Sequence, residues 1–278
     1  MKKILVPTDF SDQAEKALKV AAQLARKFDS EIYLLHMLEL PLQLIDPVQG
    51  SNTHNLPESI FFMKLAHQRF SKLMAKPYLK DLKVKETVLF HQAFEGIREV
   101  SEERKCDLIV MGSHGASGFK EMFIGSNTEK VVRTSRIPVL VIKKDNPDFK
   151  VEDFVFATDA DEANRHTLNH AAEIARKLSA NLHLLFINTP NNFITSKEAY
   201  DLLDRFIEGS GVENENIKTH VYSDTSVEKG ILNFARSLDA GLIGISTHGR
   251  KGIAHFFNGS VSEDLVNHAN RPVVTFRI

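Results

Sequence analysis

The chain has 278 residues, about twice a common domain length, so two domains of roughly 140 residues each are the first expectation. Thirty-five Lys and Arg against thirty-six Asp and Glu leave a formal charge of −1, with 42% hydrophobic residues. That composition excludes disorder over most of the chain, and it gives no basic excess to draw the protein onto nucleic acid or an anionic membrane surface.

Internal repetition organises the chain, and it falls at half its length. Ile4-Leu-Val-Pro-Thr-Asp9 returns as Phe154-Val-Phe-Ala-Thr-Asp159, and Ala21-Ala22 with Ala25-Arg26-Lys27 returns as Ala171-Ala172 with Ala175-Arg176-Lys177, both at an offset of 150. Further on, Gly96 matches Gly230, Ser113-His114-Gly115 matches Thr247-His248-Gly249, and Gly125-Ser126 matches Gly259-Ser260 at an offset of 134, so the second copy is 16 residues shorter. In chain order, the first copy predicts strands near 3–8, 31–38, 84–90, 107–112 and 138–142, with helices between them. Ala14, Ala17, Leu18, Ala21, Ala25 and Phe28 recur at three- and four-residue spacing, with Ser11 placed to cap the helix they form. Segment 39–57 holds Pro41, Pro47, Pro57 and Gly50; it reads as a long loop of the kind that covers a site, and as the stretch the second copy lacks. Cys106 sits just before the apolar run at 107–111 and reads as a small buried hydrophobe. The polar stretch 143–150 reads as the linker, dividing the chain into domains 1–144 and 151–278 joined through 145–150. The second copy predicts strands near 153–158, 181–188, 216–222, 241–246 and 272–277, and Pro138 and Pro272 each precede a last strand. Strands alternating with amphipathic helices describe an α/β chain made of two Rossmann-like domains, each a five-stranded parallel sheet covered on both faces.

Chemistry concentrates where the fourth strand of the first copy ends, at Gly112-Ser113-His114-Gly115, followed by Gly125-Ser126 at the start of a helix. Glycines there let backbone N–H groups approach an anion, and a helix N-terminus adds free donors and a favourable dipole. Thr8-Asp9, at the end of strand one, is expected to face the same crevice, where an open parallel sheet reverses its connections. No GxxxxGK followed by Ser or Thr occurs, and no GxGxxG follows the first strand, which removes the P-loop and the dinucleotide fingerprint.

The spacing Gly112, two residues, Gly115, nine residues, Gly125-Ser126, with Pro7-Thr8-Asp9, Ile109-Val-Met and Pro138-Val-Leu-Val141, closely resembles the universal stress protein family, here as a tandem member. The resemblance implies the adenine nucleotide alpha hydrolase-like fold and binding of ATP, or of ADP or AMP, with Mg as an accompanying ion. Carried over residue by residue, it implies that Gly112, Gly115, Gly125 and Ser126 hold ribose and phosphates, that Asp9 and Met37 lie near the base, and that Pro7, Thr8, Ser113, His114, Asn127 and Thr128 complete the site. A second site would use Thr158, Asp159, Ile187, Thr247, His248, Gly249, Gly259 and Ser260. There Ser246 replaces Gly112, and its Cβ is expected to crowd a ligand or to ask for a backbone angle that glycine takes more easily; Arg250 stands ready to compensate. The resemblance also implies pairing of the two domains through 139–142 and 273–276, with a homodimer of such chains as a further expectation.

Several residues admit a plainer reading. Asp9 and Asp159 can order a turn or cap a helix. His114 and His248 recur in register but lack a companion at metal-ligand spacing, so they read as structural. Arg26-Lys27 and Lys143-Lys144 read as solvated surface. No residue offers itself as a catalyst of phosphoryl transfer, so binding is expected ahead of turnover, with at most slow ATP hydrolysis. The competing readings are a non-enzymatic interaction scaffold with empty or differently occupied crevices, and, further off, an enzyme of ATP-dependent adenylation. The single cysteine and a start that runs directly into Ile4-Leu5-Val6 point to the cytoplasm, and no apolar run reaches the ~18–20 residues that span a bilayer.

Overall fold

The structure is a computed structural model and describes residues 1–38, 56–90, 92–115, 125–212, 217–247 and 259–278, with backbone alone for 56–59 and 259–263. The first copy runs β1 (Lys3–Pro7), α1 (Asp12–Phe28), β2 (Glu31–Leu38), α2 (Leu56–Met74), β3 (Lys83–Phe90), α3 (Ala93–Glu103), β4 (Leu108–Gly112), α4 (Ser126–Thr134) and β5 (Val139–Ile142). The second runs β6 (Asp153–Ala157), α5 (Arg165–Leu178), β7 (Asn181–Asn188), α6 (Ser196–Glu208), β8 (Ile217–Ser223), α7 (Val227–Ser237), β9 (Leu242–Thr247), α8 (Gly259–His268) and β10 (Val273–Arg277). Each strand lies within one residue of its predicted limits. Leu56 and Pro57, expected in the loop, open α2, where proline's missing N–H costs nothing in the first helical turn; the rest of that segment, 39–55, lies outside the described residues.

The ten strands of the described residues form one sheet in the order β3-β2-β1-β4-β5-β10-β9-β6-β7-β8. Every pairing is parallel except β5 with β10, which run antiparallel with Val141 opposite Val273 and Val139 opposite Thr275. The two copies are therefore joined edge to edge by their last strands, and an apolar core lies on each face of the whole sheet. On one face Ile4, Val6, Leu140, Phe154, Val274 and Phe276 share a cluster; on the other, Leu5, Ile109, Val141, Ile243 and Val273 do. Buried on both faces, β1 and β4 are continuous apolar runs rather than alternating ones. The edge strands β3 and β8 are half-exposed, and β3 carries Lys83, Lys85 and Glu86, charges that discourage further strand addition.

The backbone repeats as the sequence does. Phe10 and Ala160 both take left-handed angles (φ 65° and 58°), as do Asp29 and Ser179, and Lys105 and Asp239. Ser11 caps α1 by accepting from the Ala14 N–H at 3.2 Å. The stretch 143–150 has neither helix nor strand, and Gln23 of α1 fastens it: its amide donates to the Asn146 carbonyl and its Oε1 accepts from the Phe149 N–H. Two of the cations expected in solvent are not free there. Half-buried Lys143 donates to the Asn267 carbonyl at the end of α8, and Lys27 donates to the Leu178 carbonyl at the end of α5, because helix C-termini leave carbonyls without intrahelical partners. Cys106 is buried, and burial pushes its thiol up to about 11. Among the described residues no helix is long and apolar enough to cross a membrane.

A histidine chain lies under the sheet of the second copy. His183 on β7 donates from Nε2 to Asp153 Oδ1 at 2.9 Å, and its Nδ1 lies 3.0 Å from Nε2 of His220 on β8. Burial works against ionisation of Asp153, yet Asn181 and His183 hold its carboxyl below the ordinary value. His220 is lowered by burial, by His183 and by Lys218; His170 is lowered by burial and by His166; His36 is lowered chiefly by burial. Histidines whose folded values lie below the ordinary 6.5 stabilise the fold fully above that pH, and the contribution is lost as pH falls through it toward the folded value. Denaturation midpoints at pH 7.5, 6.5 and 5.5 are expected to fall monotonically, and His220→Gln is expected to flatten the fall. Equal midpoints across this range would contradict the burial of neutral imidazoles.

Candidate functional site

In the first copy the strand order reverses between β1 and β4, and there a cavity of about 370 Å³ opens at their carboxyl ends. Pro7, Thr8, Asp9, Met37, Gly112, His114, Gly115, Gly125, Ser126, Asn127 and Thr128 all line it. Ser113 does not. It is fully buried, with its hydroxyl 3.0 Å from His114 Nδ1 and 3.4 Å from Gln13 Nε2, because alternate residues at a strand's end point to opposite faces.

The turn after β1 is built by two side chains. Thr8 Oγ1 accepts from the Phe10 N–H at 3.0 Å and Asp9 Oδ1 accepts from the Ser11 N–H at 3.0 Å, which seats Phe10 in its left-handed angle and leads into α1. The same pair recurs in the second copy, where Thr158 Oγ1 accepts from Ala160 and Asp159 Oδ1 from Asp161. The turn-ordering role of both aspartates is therefore real.

Two motif glycines make room for protein as well as for space. A Cβ on Gly112 would stand 2.8 Å from Gln13 Cγ and 2.9 Å from the Gln13 carbonyl oxygen; one on Gly115 would stand 2.5 Å from Asp9 Oδ2. Gln13 is buried, and its amide donates to the Ile142 carbonyl at 2.6 Å and the Lys143 carbonyl at 2.9 Å, so α1 is drawn tightly onto the end of β4. Gly112 keeps an ordinary backbone angle and is needed for that approach. Ser246, in β9, is buried without a left-handed backbone angle, and its hydroxyl has no hydrogen-bond partner among the described residues. In the second copy Ala163 stands where Gln13 does, inside a short 3-10 turn (Glu162–Asn164), and the α-helix begins only at Arg165.

At the other wall, Gly125 precedes α4 in extended conformation and donates its N–H to the Ser113 carbonyl at 2.7 Å. The N–H groups of Ser126, Asn127 and Thr128 have no intrahelical acceptor and point to the helix's positive end. The Thr128 hydroxyl is committed to the Gly112 carbonyl at 2.9 Å, while the Ser126 and Asn127 side chains are exposed to the cavity. Ala14, Leu35, Ala93, Ile97 and Met111 supply an apolar floor, and His36 adds a polar group that motif reading missed. Its Nδ1 donates to the Thr8 carbonyl at 2.8 Å, which fixes the tautomer of the neutral ring, and burial lowers its pKa. A histidine inside the apolar run 32–38 was the available signal. The arrangement offers an apolar slot, backbone donors and a hydroxyl, suited to a planar apolar group joined to an anion.

In the second copy, Thr158 is buried and Ile187 packs against Gly230 of α7. Thr247 is also buried, its hydroxyl within reach of the Val132 carbonyl of α4 at 3.3 Å, so it serves the joint between copies. His248, Gly249 and Arg250 lie outside the described residues; Gly259 and Ser260 open α8.

The architecture is that of open α/β domains, with a crevice at the sheet's switch point in the first copy. The chain belongs to the universal stress protein family, whose model matches residues 1–143 and again 151–277. It is similar to Universal stress protein MJ0577 of Methanocaldococcus jannaschii, 36% identical over 52% of this chain and 96% of that protein. Universal stress protein Slr1230 of Synechocystis is 24% identical over the full length of both chains. A crystal structure of a universal stress protein from Archaeoglobus fulgidus shares the fold with a TM-score of 0.72 at 23% identity, covering 99% of this chain and 98% of that one.

The packing account of Gly112 has a direct check. Gly112→Ala is expected to destabilise by about 1–3 kcal/mol through overpacking. In a Gln13→Ala background the same change is expected to cost less, with a coupling of about 0.5–3 kcal/mol measurable by urea denaturation of the four chains. Strict additivity would return Gly112 to a ligand role alone.

Proposed function

We propose that the first copy binds ATP or another adenine nucleotide, the adenine lying between Asp9 and Met37 and the phosphates meeting the N–H groups and hydroxyl at the start of α4. The observation that carries this reading is the gathering of Asp9, Met37, Gly112, Gly115, Gly125 and Ser126 around one cavity of about 370 Å³, within the range of small-molecule sites. Domain limits of 1–144 and 151–278 fit the same reading, with the nucleotide held by the first domain. Mg would be held by the phosphate oxygens, since Asp9, the carboxylate of the cavity lining, stands at the adenine end. Binding is assigned ahead of turnover: the Asp9 carboxylate orders its own turn and abuts Gly115, which leaves it badly placed as a base for an attacking water. Because β5 and β10 consume each other's edges, a homodimer of whole chains would have to use another surface.

Native protein, denatured and analysed by mass spectrometry, is expected to release near one adenine nucleotide per chain, and calorimetric titration of the stripped protein is expected to restore it. Ser126→Glu sets a carboxylate where the phosphates would lie while suiting a helix N-terminus, so at least a tenfold loss of affinity is expected with no loss of thermal stability. A chain that neither carries nor takes up nucleotide would be the interaction scaffold instead.

A further inference from the structure

A second cavity, of about 480 Å³, lies on the opposite side of the turn that follows β1, between the start of α1 and one face of α2. It shares Thr8 and Asp9 with the glycine crevice, but its remaining walls are its own. Arg69, Lys72 and Lys76 line it: Arg69 and Lys72, three residues apart, share one face of α2, and Lys76 follows just past that helix's end.

The charges in this cavity do not cancel. Lys76 pairs with Glu15 at 3.1 Å, and the Tyr78 hydroxyl donates to the same carboxylate at 3.2 Å, so Glu15 is already engaged. Asp9 directs Oδ1 to the Ser11 N–H and Oδ2 toward Gly115, on the crevice side. Among the described residues, neither Arg69 nor Lys72 has a carboxylate within ion-pair distance. Arg69 is also held in place: its guanidinium lies over the Phe10 ring at 5.7 Å, and Phe10 is wedged between His36 at 4.5 Å and Phe70 at 5.0 Å. A preorganised guanidinium beside an unpaired ammonium, in a concavity, is suited to the oxygens of a phosphoryl group.

The second copy closes the equivalent space. When buried positions are matched, Ala66, Phe70 and Leu73 of α2 correspond to Ala199, Leu203 and Phe206 of α6. Arg69 and Lys76 then become Leu202 and Gly209, and the Arg165 side chain of α5 lies where a Cβ on Gly209 would stand. Lys72 becomes Arg205, so the second copy keeps a cation at that position, but Arg165 lies across the space and donates to the Arg205 carbonyl at 3.2 Å.

We infer that the cavity between α1 and α2 is a binding site for a small phosphate-class anion, of diphosphate size, held by Arg69 and Lys72 and distinct from the glycine crevice. It stands apart from the adenine nucleotide reading, because neither cation lines the glycine crevice. Pyrophosphate titrated calorimetrically into the full chain at low ionic strength, without Mg, is expected to bind once per chain, with or without saturating AMP. Sulfate and orthophosphate, run in parallel, are expected to bind more weakly. Arg69→Gln combined with Lys72→Gln, both exposed on α2, is expected to weaken pyrophosphate at least tenfold and to leave AMP affinity and thermal stability unchanged; Ser126→Glu is expected to leave pyrophosphate binding intact. Competition by AMP, or loss in Ser126→Glu, would place the anion at α4 and overturn the inference, as would full affinity in the Arg69/Lys72 variant. If the chain takes no AMP, the double variant decides alone.

Discussion

The buried amide of Gln13 is the contact on which the site depends. It reaches from the first turn of α1 to the last carbonyl of β5, which also accepts from the Ser113 N–H, and to the first carbonyl of the linker, so that its own buried N–H groups are satisfied. Leaving such groups unpaired costs about 1–3 kcal/mol each. The amide can only make those bonds if α1 lies hard against the end of β4, and that requires position 112 to have no side chain. The close approach fixes the start of α1, and with it the turn from Thr8 to Ser11 and the wall that Asp9 gives to the crevice.

Joining the copies by one antiparallel pair turns two half-sheets into a single layer with a shared core on each face. Burial at the joint is nearly complete: Val139, Leu140, Val141, Val273, Val274 and Phe276 are each less than 5% exposed. Side chains fasten the joint further, from Lys27 to α5, Lys143 to α8, Thr247 to α4 and Arg277 to the Thr134 carbonyl. These bonds place the C-terminal carbonyls of helices in one copy against donors of the other, which satisfies acceptors that have no intrahelical partner.

The duplication has let the two halves specialise. Turn, left-handed residues and strand register are kept, while the first turns of α1 and α5 differ. Gln13 faces Gly112 in one copy, whereas Ala163 and Ser246 hold those positions in the other, and Glu15, which lines the basic cavity, is replaced by Arg165, whose side chain lies against Gly209.

The strand and helix plan was legible in the residues, as was the repeat, because both rest on local periodicity: strand runs of four to eight residues bounded by Pro, Gly and polar turns. The glycine positions and Thr8-Asp9 were legible too, and their convergence followed from the rule that crevices form where a parallel sheet reverses direction. What those glycines face was not legible. Gln13 lies 99 residues from Gly112, Asp9 lies 106 from Gly115, and nothing in either neighbourhood records the contact. The burial of Ser113 and Thr247, the engagement of Lys143 and the charge imbalance beside Arg69 and Lys72 are likewise decided by which elements meet. By itself the sequence determined the elements, the repeat and the family. The tertiary structure alone decided which side chains share a space, because packing depends on distances between segments that the linear pattern does not encode.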